Sequence, residues 1–161
     1  MTSVDSDRVQ SNGGVRPAGV PPERSGSQEP GWALELRTTA SALVIPTIRA
    51  LAADLAVRAD FDLDSVDDLR MAVDDLCVIL TRIAGTDAAL SCMFTMWPDR
   101  IEVTAEVDIS SVANPLPTGS FSWRMLECLA DEVSAVSLPS ESGRGPRVRI
   151  TLMKDAIREQ P

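Results

Sequence analysis

The feature that most constrains the fold is a long amphipathic segment in the middle of the chain, residues 64–84. Apolar side chains recur there every three or four positions, and they are Val66, Leu69, Val73, Leu76, Leu80 and Ile83. This spacing places them on one face of a single helix. Aspartates cluster at its start, where the helix dipole favours negative charge, and Gly85 is suited to end it. Because the apolar face runs the whole length of this helix, the rest of the domain must supply a broad surface to cover it.

The segments on either side of this helix favour strands and two further helices. An earlier helix lies within residues 41–61, with Pro46 tolerated in its first turn, and a later one spans 122–133. Segments that favour strands are 32–39, 89–97, 100–109, 132–138 and 146–153. This order predicts an α+β two-layer sandwich, with the helices on one face of a mixed, mostly antiparallel sheet. In the last strand Arg147, Arg149 and Thr151 alternate with apolar residues, so one of its faces should be in solvent.

The composition changes at both ends of the chain. With 161 residues, the chain is long enough for one domain with a sizeable core. Residues 1–30 are rich in Pro, Gly, Ser and charge and poor in large apolar residues, which predicts a disordered tail. We therefore expect a folded domain over 31–155 and a short C-terminal tail over 156–161.

The net charge of −9 restricts the partners that this chain can have. Nucleic acid requires clustered Lys and Arg to neutralise phosphates, so direct nucleic-acid binding is not expected. An acidic surface suits a basic protein partner, although it also serves solubility alone. No apolar run reaches the ~20 residues that span a bilayer, and the N-terminus does not resemble a signal peptide. These features predict a cytoplasmic protein without membrane segments.

The chain contains three cysteines and no histidine. Cys77, Cys92 and Cys128 are widely spaced in apolar surroundings, which favours buried structural thiols over a redox role. A conventional Cys/His zinc site lacks its fourth ligand unless a carboxylate serves, and no metal site is predicted. Without histidine, the usual general base of serine and cysteine hydrolases is also missing.

Three strings of the sequence resemble a known family. They are "TIRAL" (47–51), "FDLDSVDDLRMAVDDLC" (61–77) and "GSFSWRMLECLADEV" (119–133). Together with the element order, they resemble anti-sigma factors of the RsbW/SpoIIAB type in the GHKL superfamily of ATPases and kinases, and especially the actinobacterial anti-sigma-F (UsfX-like) branch. The resemblance covers roughly residues 33–154. It implies a homodimer that sequesters an alternative sigma factor of the stress or development type and is antagonised by a STAS-domain anti-anti-sigma protein.

The resemblance also allows the family's ATP-binding helix to be compared residue by residue with this chain. Active members carry Glu-x-x-x-Asn on the second helix, where the Glu acts as base and the Asn oxygen holds magnesium. Asp75 stands in the Glu position and Ile79 in the Asn position. Asp75 keeps the charge on a shorter side chain, whereas Ile79 has no oxygen for a metal. Asp75 is therefore expected to be a vestigial base, or simply a helix-surface carboxylate.

The glycine-rich motifs of the family are also altered. Val107 occupies the position of the aspartate that binds adenine, and Asp108 follows one residue later without the family's glycines. Gly119 is kept in the loop that should approach the phosphates, but Phe121 replaces a second glycine. The resemblance thus implies a degenerate ATP site with Asp75, Asp108 and Gly119 as its remnants. Residual binding of ATP and Mg²⁺, or an active ATP-dependent protein-serine kinase, stays as the alternative.

Contacts with a partner should come from other residues. In the family, an arginine in the position of Arg49 helps to contact the sigma factor and its competing antagonist. A guanidinium fork is well suited to partner carboxylates, although a plain surface arginine is the alternative. Phe121 and Trp123 are either core anchors or exposed interface aromatics.

Overall fold

A computed structural model of the protein describes residues 29–110, 116 and 118–157. Its strands are β1 (Trp32–Thr39), β2 (Ala89–Met96), β3 (Arg100–Asp108), β4 (Glu132–Leu138) and β5 (Arg147–Asp155). A short 3-10 turn, Ala42–Val44, leads into the first helix, and the helices are α1 (Ile45–Arg58), α2 (Leu63–Ile83) and α3 (Phe121–Leu129). The predicted tails, apart from the few residues at their inner ends, lie outside the described residues.

The five strands form one sheet in the order β1-β2-β3-β5-β4. Every neighbouring pair in it is antiparallel. The predicted α+β two-layer class is confirmed, but the described sheet contains no parallel pair, so it is not mixed. Strands β2 and β3 form the predicted hairpin, in which Phe94 pairs with Val103.

Local signals in the sequence explain where the helices begin. Asp62 caps α2, because its carboxylate accepts a hydrogen bond from the Ser65 amide at 2.9 Å. Ser120 caps α3 in the same way, with the Trp123 amide at 3.1 Å. Pro46 lies in the first turn of α1, as predicted, where its missing N–H leaves no intrahelical bond unmade. All three caps or starts can be found in the sequence itself.

The core lies between the helices and one face of the sheet. The apolar face predicted for α2 is confirmed, since Val66, Leu69, Val73, Leu76 and Leu80 are buried. Alternate residues of the central strands, such as Phe94 and Val103, meet this face and are fully buried. The opposite face of the sheet, which we call the outer face, carries polar side chains such as Glu106 and Arg149. Among the described residues, no helix is long and apolar enough to span a membrane.

Three further sequence-based predictions are wrong in detail. Helix α3 was predicted to reach residue 133 but ends at Leu129, because Ala130 is already extended (φ −94°, ψ 152°). Val133 belongs to strand β4 instead. Arg147 was expected in solvent but is only 6% exposed, since Glu106 and Glu141 bind its guanidinium. Cys128 was expected to be buried but is exposed on α3, whereas Cys77 and Cys92 are buried as predicted.

Candidate functional site

The candidate site begins with an ion pair between α1 and α2. The Arg49 Nη1 donates to Asp74 Oδ1 at 2.9 Å, across 25 positions of sequence. The two side chains remain 41% and 33% exposed. Because the pair is open to solvent, it adds little to stability on its own. It does hold a guanidinium and a carboxylate in fixed positions on the surface.

The residues around this pair form a shallow depression of about 160 Å³, lined by Arg49, Arg70, Met71, Asp74 and Asp75. We call these five residues the α1–α2 patch. Four of them lie on α2 as two adjacent pairs one helical turn apart, which puts them on one side of that helix. Met71 is 44% exposed, so an apolar side chain stands among the charges. This mixture of a charged rim and an apolar contact is typical of protein interfaces.

Asp75 lies half-buried in the patch. Burial and the neighbouring charge of Asp74 both disfavour its ionised form and raise the pKa of Asp75 above its usual value. A raised carboxyl pKa is common where a group is retained for function rather than for stability. Asp75 can therefore serve as an interface carboxylate or as the remnant of a base.

One turn after Asp75, Ile79 points into the core and is 3% exposed. Sequence comparison placed it in the position of a metal-binding amide. The structure gives it apolar packing in the same cluster as Leu76 and Leu80. An oxygen ligand at this position would have to leave a closed hydrophobic environment to reach a metal.

The other residues matched to the ATP motifs do not line the depression that contains Asp75. Val107 faces the helices and is 1% exposed, whereas Asp108 lies on the outer face of the sheet, with its Oδ1 3.7 Å from the Arg144 guanidinium. Gly119 lies in the turn before α3, and a Cβ added there would meet nothing within 4 Å. Asp75 and Asp108 are thus separated by the sheet and the core.

The two aromatic residues at the start of α3 have different environments. Trp123 is 5% exposed and its Nε1 donates to Glu127 at 3.0 Å, so it is a core anchor. Phe121 is 78% exposed and belongs to the surface. The sequence left both alternatives open for both residues; the structure makes Trp123 the core anchor and Phe121 a surface residue, whose role at an interface stays a prediction.

Asp74, Arg70 and Met71 were not predicted as members of the site. The helical spacing of 70/71 and 74/75 was a usable signal for a shared side of α2. No sequence signal linked Asp74 to Arg49, because that contact depends on how α1 packs against α2. No group of three or more Cys, Asp or Glu side chains within the described ranges is arranged to hold a metal ion.

Comparison with known proteins gives this site a family context. No family model matches the chain. The Anti-sigma-F factor RsbW of Mycobacterium tuberculosis, in two strains, is 36% identical to it over 125 residues. The match covers 76% of this chain and 70% of the relative. With that identity over most of both chains, and with the predicted α+β sandwich confirmed, the chain belongs to the RsbW-type anti-sigma factors.

Proposed function

We propose that this protein sequesters an alternative sigma factor of the sigma-F type and so represses transcription from that factor's promoters. The observation that carries the proposal is the 36% identity to a protein named Anti-sigma-F factor, over 125 residues. Helix α1 contains Arg49, the residue for which the resemblance implies partner contact. The sequence predicts that the protein is cytoplasmic, which is the compartment where it would encounter a sigma factor.

The α1–α2 patch supports a role in binding a protein. Arg49 is paired with Asp74 but remains 41% exposed, so its guanidinium can still donate to a carboxylate of a partner. Asp75, beside it, can accept from a basic partner residue. Met71 adds exposed apolar area of the kind that is buried at the centre of interfaces. The patch can therefore exchange its internal ion pair for two intermolecular ones without leaving a buried charge unpaired.

We further propose that the family's ATP site is degenerate in this protein. Ile79 supplies core packing where a metal ligand is required, and Asp108 lies on the face of the sheet away from α2. Both placements argue against a nucleotide site that these two residues share with Asp75. Release of the sigma factor would then depend on competition by a STAS-domain anti-anti-sigma protein for an overlapping surface, rather than on ATP.

The alternative is an active protein-serine kinase that phosphorylates this antagonist, with Asp75 as its base. The raised pKa of Asp75 is compatible with that role. The absence of a metal-binding oxygen at Ile79 argues against it, because phosphoryl transfer relies on magnesium held at the phosphates. The two alternatives differ sharply for Asp75→Ala: a kinase loses phosphoryl transfer but keeps sigma binding.

A homodimer is also part of the proposal. Strand β1 is an edge strand of the sheet, with Trp32 48% exposed at its start. An open edge of this kind can pair with a second chain. The family resemblance implies a dimer surface on the first strand and first helix, which are β1 and α1 here.

Gel filtration of the full chain with the sigma-F-type factor of the same organism tests this function. We expect a stable complex that forms equally well with and without ATP and Mg²⁺, and that dissociates when the STAS-domain antagonist is added in excess. Failure to form any complex with sigma factors of this type would contradict the proposed function. A complex that requires ATP, together with phosphorylation of the antagonist, would instead support the kinase alternative.

A further inference from the structure

The outer face of the sheet carries a second, larger depression of about 370 Å³. It lies across β1, β2, β3 and β5, beside the hairpin that joins β4 to β5. Four arginines and two glutamates line it. Glu141 and Asp108 lie next to two of these arginines, so the charges nearly balance, and the distinguishing feature is the concentration of guanidinium groups. The depression lies on the side of the sheet away from the α1–α2 patch.

Arg147 forms the floor of the depression. It is 6% exposed, and its Nη1 and Nη2 donate to Glu106 at 2.8 Å and to Glu141 at 3.2 Å. Its Nε is buried and has no hydrogen-bond partner among the described residues. A buried guanidinium with an unused donor is costly unless something accepts from it. Glu106 and Glu141 balance the charge of Arg147, but its Nε remains a buried donor without a partner among the described residues.

Glu106 fixes the neighbouring guanidinium groups in place. Its carboxylate accepts from Arg147 Nη1 at 2.8 Å and from Arg149 Nη2 at 2.9 Å. Burial disfavours the charge on Glu106, but hydrogen bonds from Arg149 and Arg147, and their charges, hold its pKa below the usual value. The Glu106 carboxylate is thus ionised and bound to two guanidinium groups, so it holds Arg147 and Arg149 in place and its charge is balanced by theirs.

Two further arginines lie at the rim of the depression, where their guanidinium groups can donate hydrogen bonds to a ligand. Arg144 is 3.6 Å from Glu106 and 3.7 Å from Asp108, which is longer than a hydrogen bond, and its side chain is 47% exposed. It is presented by the hairpin, where Gly143 adopts a positive φ of 81° and Glu141 and Arg144 form a backbone bridge. Arg37 reaches the same depression from β1 and is exposed.

We propose that this outer-face depression is a binding site for a phosphate-type oxyanion. Arg37, Arg144 and Arg149 approach it from β1, from the hairpin and from β5. Donors that converge from three sides match a tetrahedral group with several oxygens better than a planar carboxylate, which one guanidinium fork already satisfies. The ligand is either a free phosphate or a phosphoryl group carried by a peptide, because both present the same oxygens.

Titration of the full chain with inorganic phosphate at constant ionic strength, followed by backbone amide NMR shifts, tests the site. We expect saturable shifts confined to β1, β2, β3, β5 and the β4–β5 hairpin. Arg37→Gln and Arg144→Gln should each weaken binding at least about tenfold, since each removes a charge-assisted hydrogen bond. Arg82→Gln, at an exposed arginine in the last turn of α2, is the matched control and should bind as the wild type does.

Three further arms complete the experiment. Arg149→Gln tests the guanidinium bound to Glu106, and the Arg37 and Arg144 variants remain informative if that variant folds poorly. Acetate should bind at least about tenfold more weakly than phosphate, because it lacks the third oxygen. A blocked phosphoserine that binds more tightly than phosphate indicates a phosphorylated peptide, and equal binding indicates the free ion. Absence of saturation, shifts centred on the helices, or equal weakening in Arg82→Gln would overturn the proposal.

Discussion

Arg49 of α1 and Asp74 of α2 are joined at 2.9 Å by a hydrogen-bonded ion pair that remains partly open to solvent. The pair connects the segment proposed to contact a sigma factor with the helix that the family resemblance matches to an ATP motif. It therefore places Arg49, the proposed partner-binding arginine, beside Asp75. In this proposal, the surface of that helix and the binding surface are the same region.

Restoring the family's metal ligand at Ile79 should damage the fold rather than create a nucleotide site. Ile79→Asn puts an amide among apolar side chains, so we expect a loss of about 2–4 kcal/mol in the free energy of unfolding. The conservative Ile79→Val should cost only about 0.5–1.5 kcal/mol. Urea unfolding measures both, and calorimetric titration with ATP and Mg²⁺ checks for binding. A stable Ile79→Asn protein that binds ATP would show that the position still faces a nucleotide site.

The three thiols should differ in reactivity. Cys77 and Cys92 are buried, and hydrogen bonding to Cys92, burial and nearby negative charge raise the pKa of the Cys77 thiol. Cys128 is exposed on α3. Alkylation of the native protein should therefore modify one thiol. In the Cys128→Ser variant no thiol should be modified until the protein unfolds. Rapid native labelling of Cys128→Ser would mean that the core around α2 and β2 opens.

Glu106 should make the protein sensitive to acid. Burial opposes its ionisation, but the bonds from Arg149 and Arg147 hold its folded pKa below the ordinary 4.5. A lowered folded pKa adds stability above the unfolded value, and this stability is lost as the pH falls through the folded value. Glu106→Gln should be less stable than wild type at pH 7, with a difference that shrinks below about pH 4. A difference that is constant with pH would contradict this explanation.

Asp75 should have the opposite effect on stability. Its raised pKa means that ionisation at neutral pH costs the folded state free energy. Asp75→Asn is therefore expected to raise the thermal midpoint at pH 7, with a gain that disappears as the pH is lowered and Asp75 becomes protonated. Asp64→Asn, in the first turn of α2, should lower the midpoint slightly, because it removes a charge that the helix dipole favours. Equal effects of the two variants would contradict the assigned cause.

Local patterns predicted the parts of this fold that depend on neighbouring residues in the sequence. The apolar face of α2, the place of Pro46 and the β2–β3 hairpin all follow from spacing within one segment. The predicted end of α3 was wrong because its apolar positions continue into β4, where pairing with β5 overrides helix spacing. The predicted exposure of Arg147 was wrong because its burial depends on Glu106, which is distant in sequence.

The residues of the candidate site could be predicted where they share one segment of the sequence, but the contacts between segments could not. Arg49 and Asp75 could be singled out by resemblance, and Arg70 and Met71 share a helix side with Asp75. The partnership of Arg49 with Asp74 and the separation of Asp108 from Asp75 both follow from the packing of distant segments. Spacing could not predict the Arg49–Asp74 contact, because that contact depends on how α1 packs against α2. It could not fix the face of Asp108 either, because a shift of one residue in β3 moves a side chain from the core to the outer face.

The most direct test of the account is the affinity of the sigma-F-type factor for Arg49→Ala, with Arg58→Ala as control, by calorimetric titration. Arg58 also lies on α1 and is ion-paired at 2.7 Å, with Asp54, but nine residues later it is on about the opposite side of the helix. Removal of either solvent-exposed pair should change stability little. We predict at least about tenfold weaker binding for Arg49→Ala and unchanged binding for Arg58→Ala. Equal affinities for wild type and both variants would show that the α1–α2 patch does not bind the sigma factor.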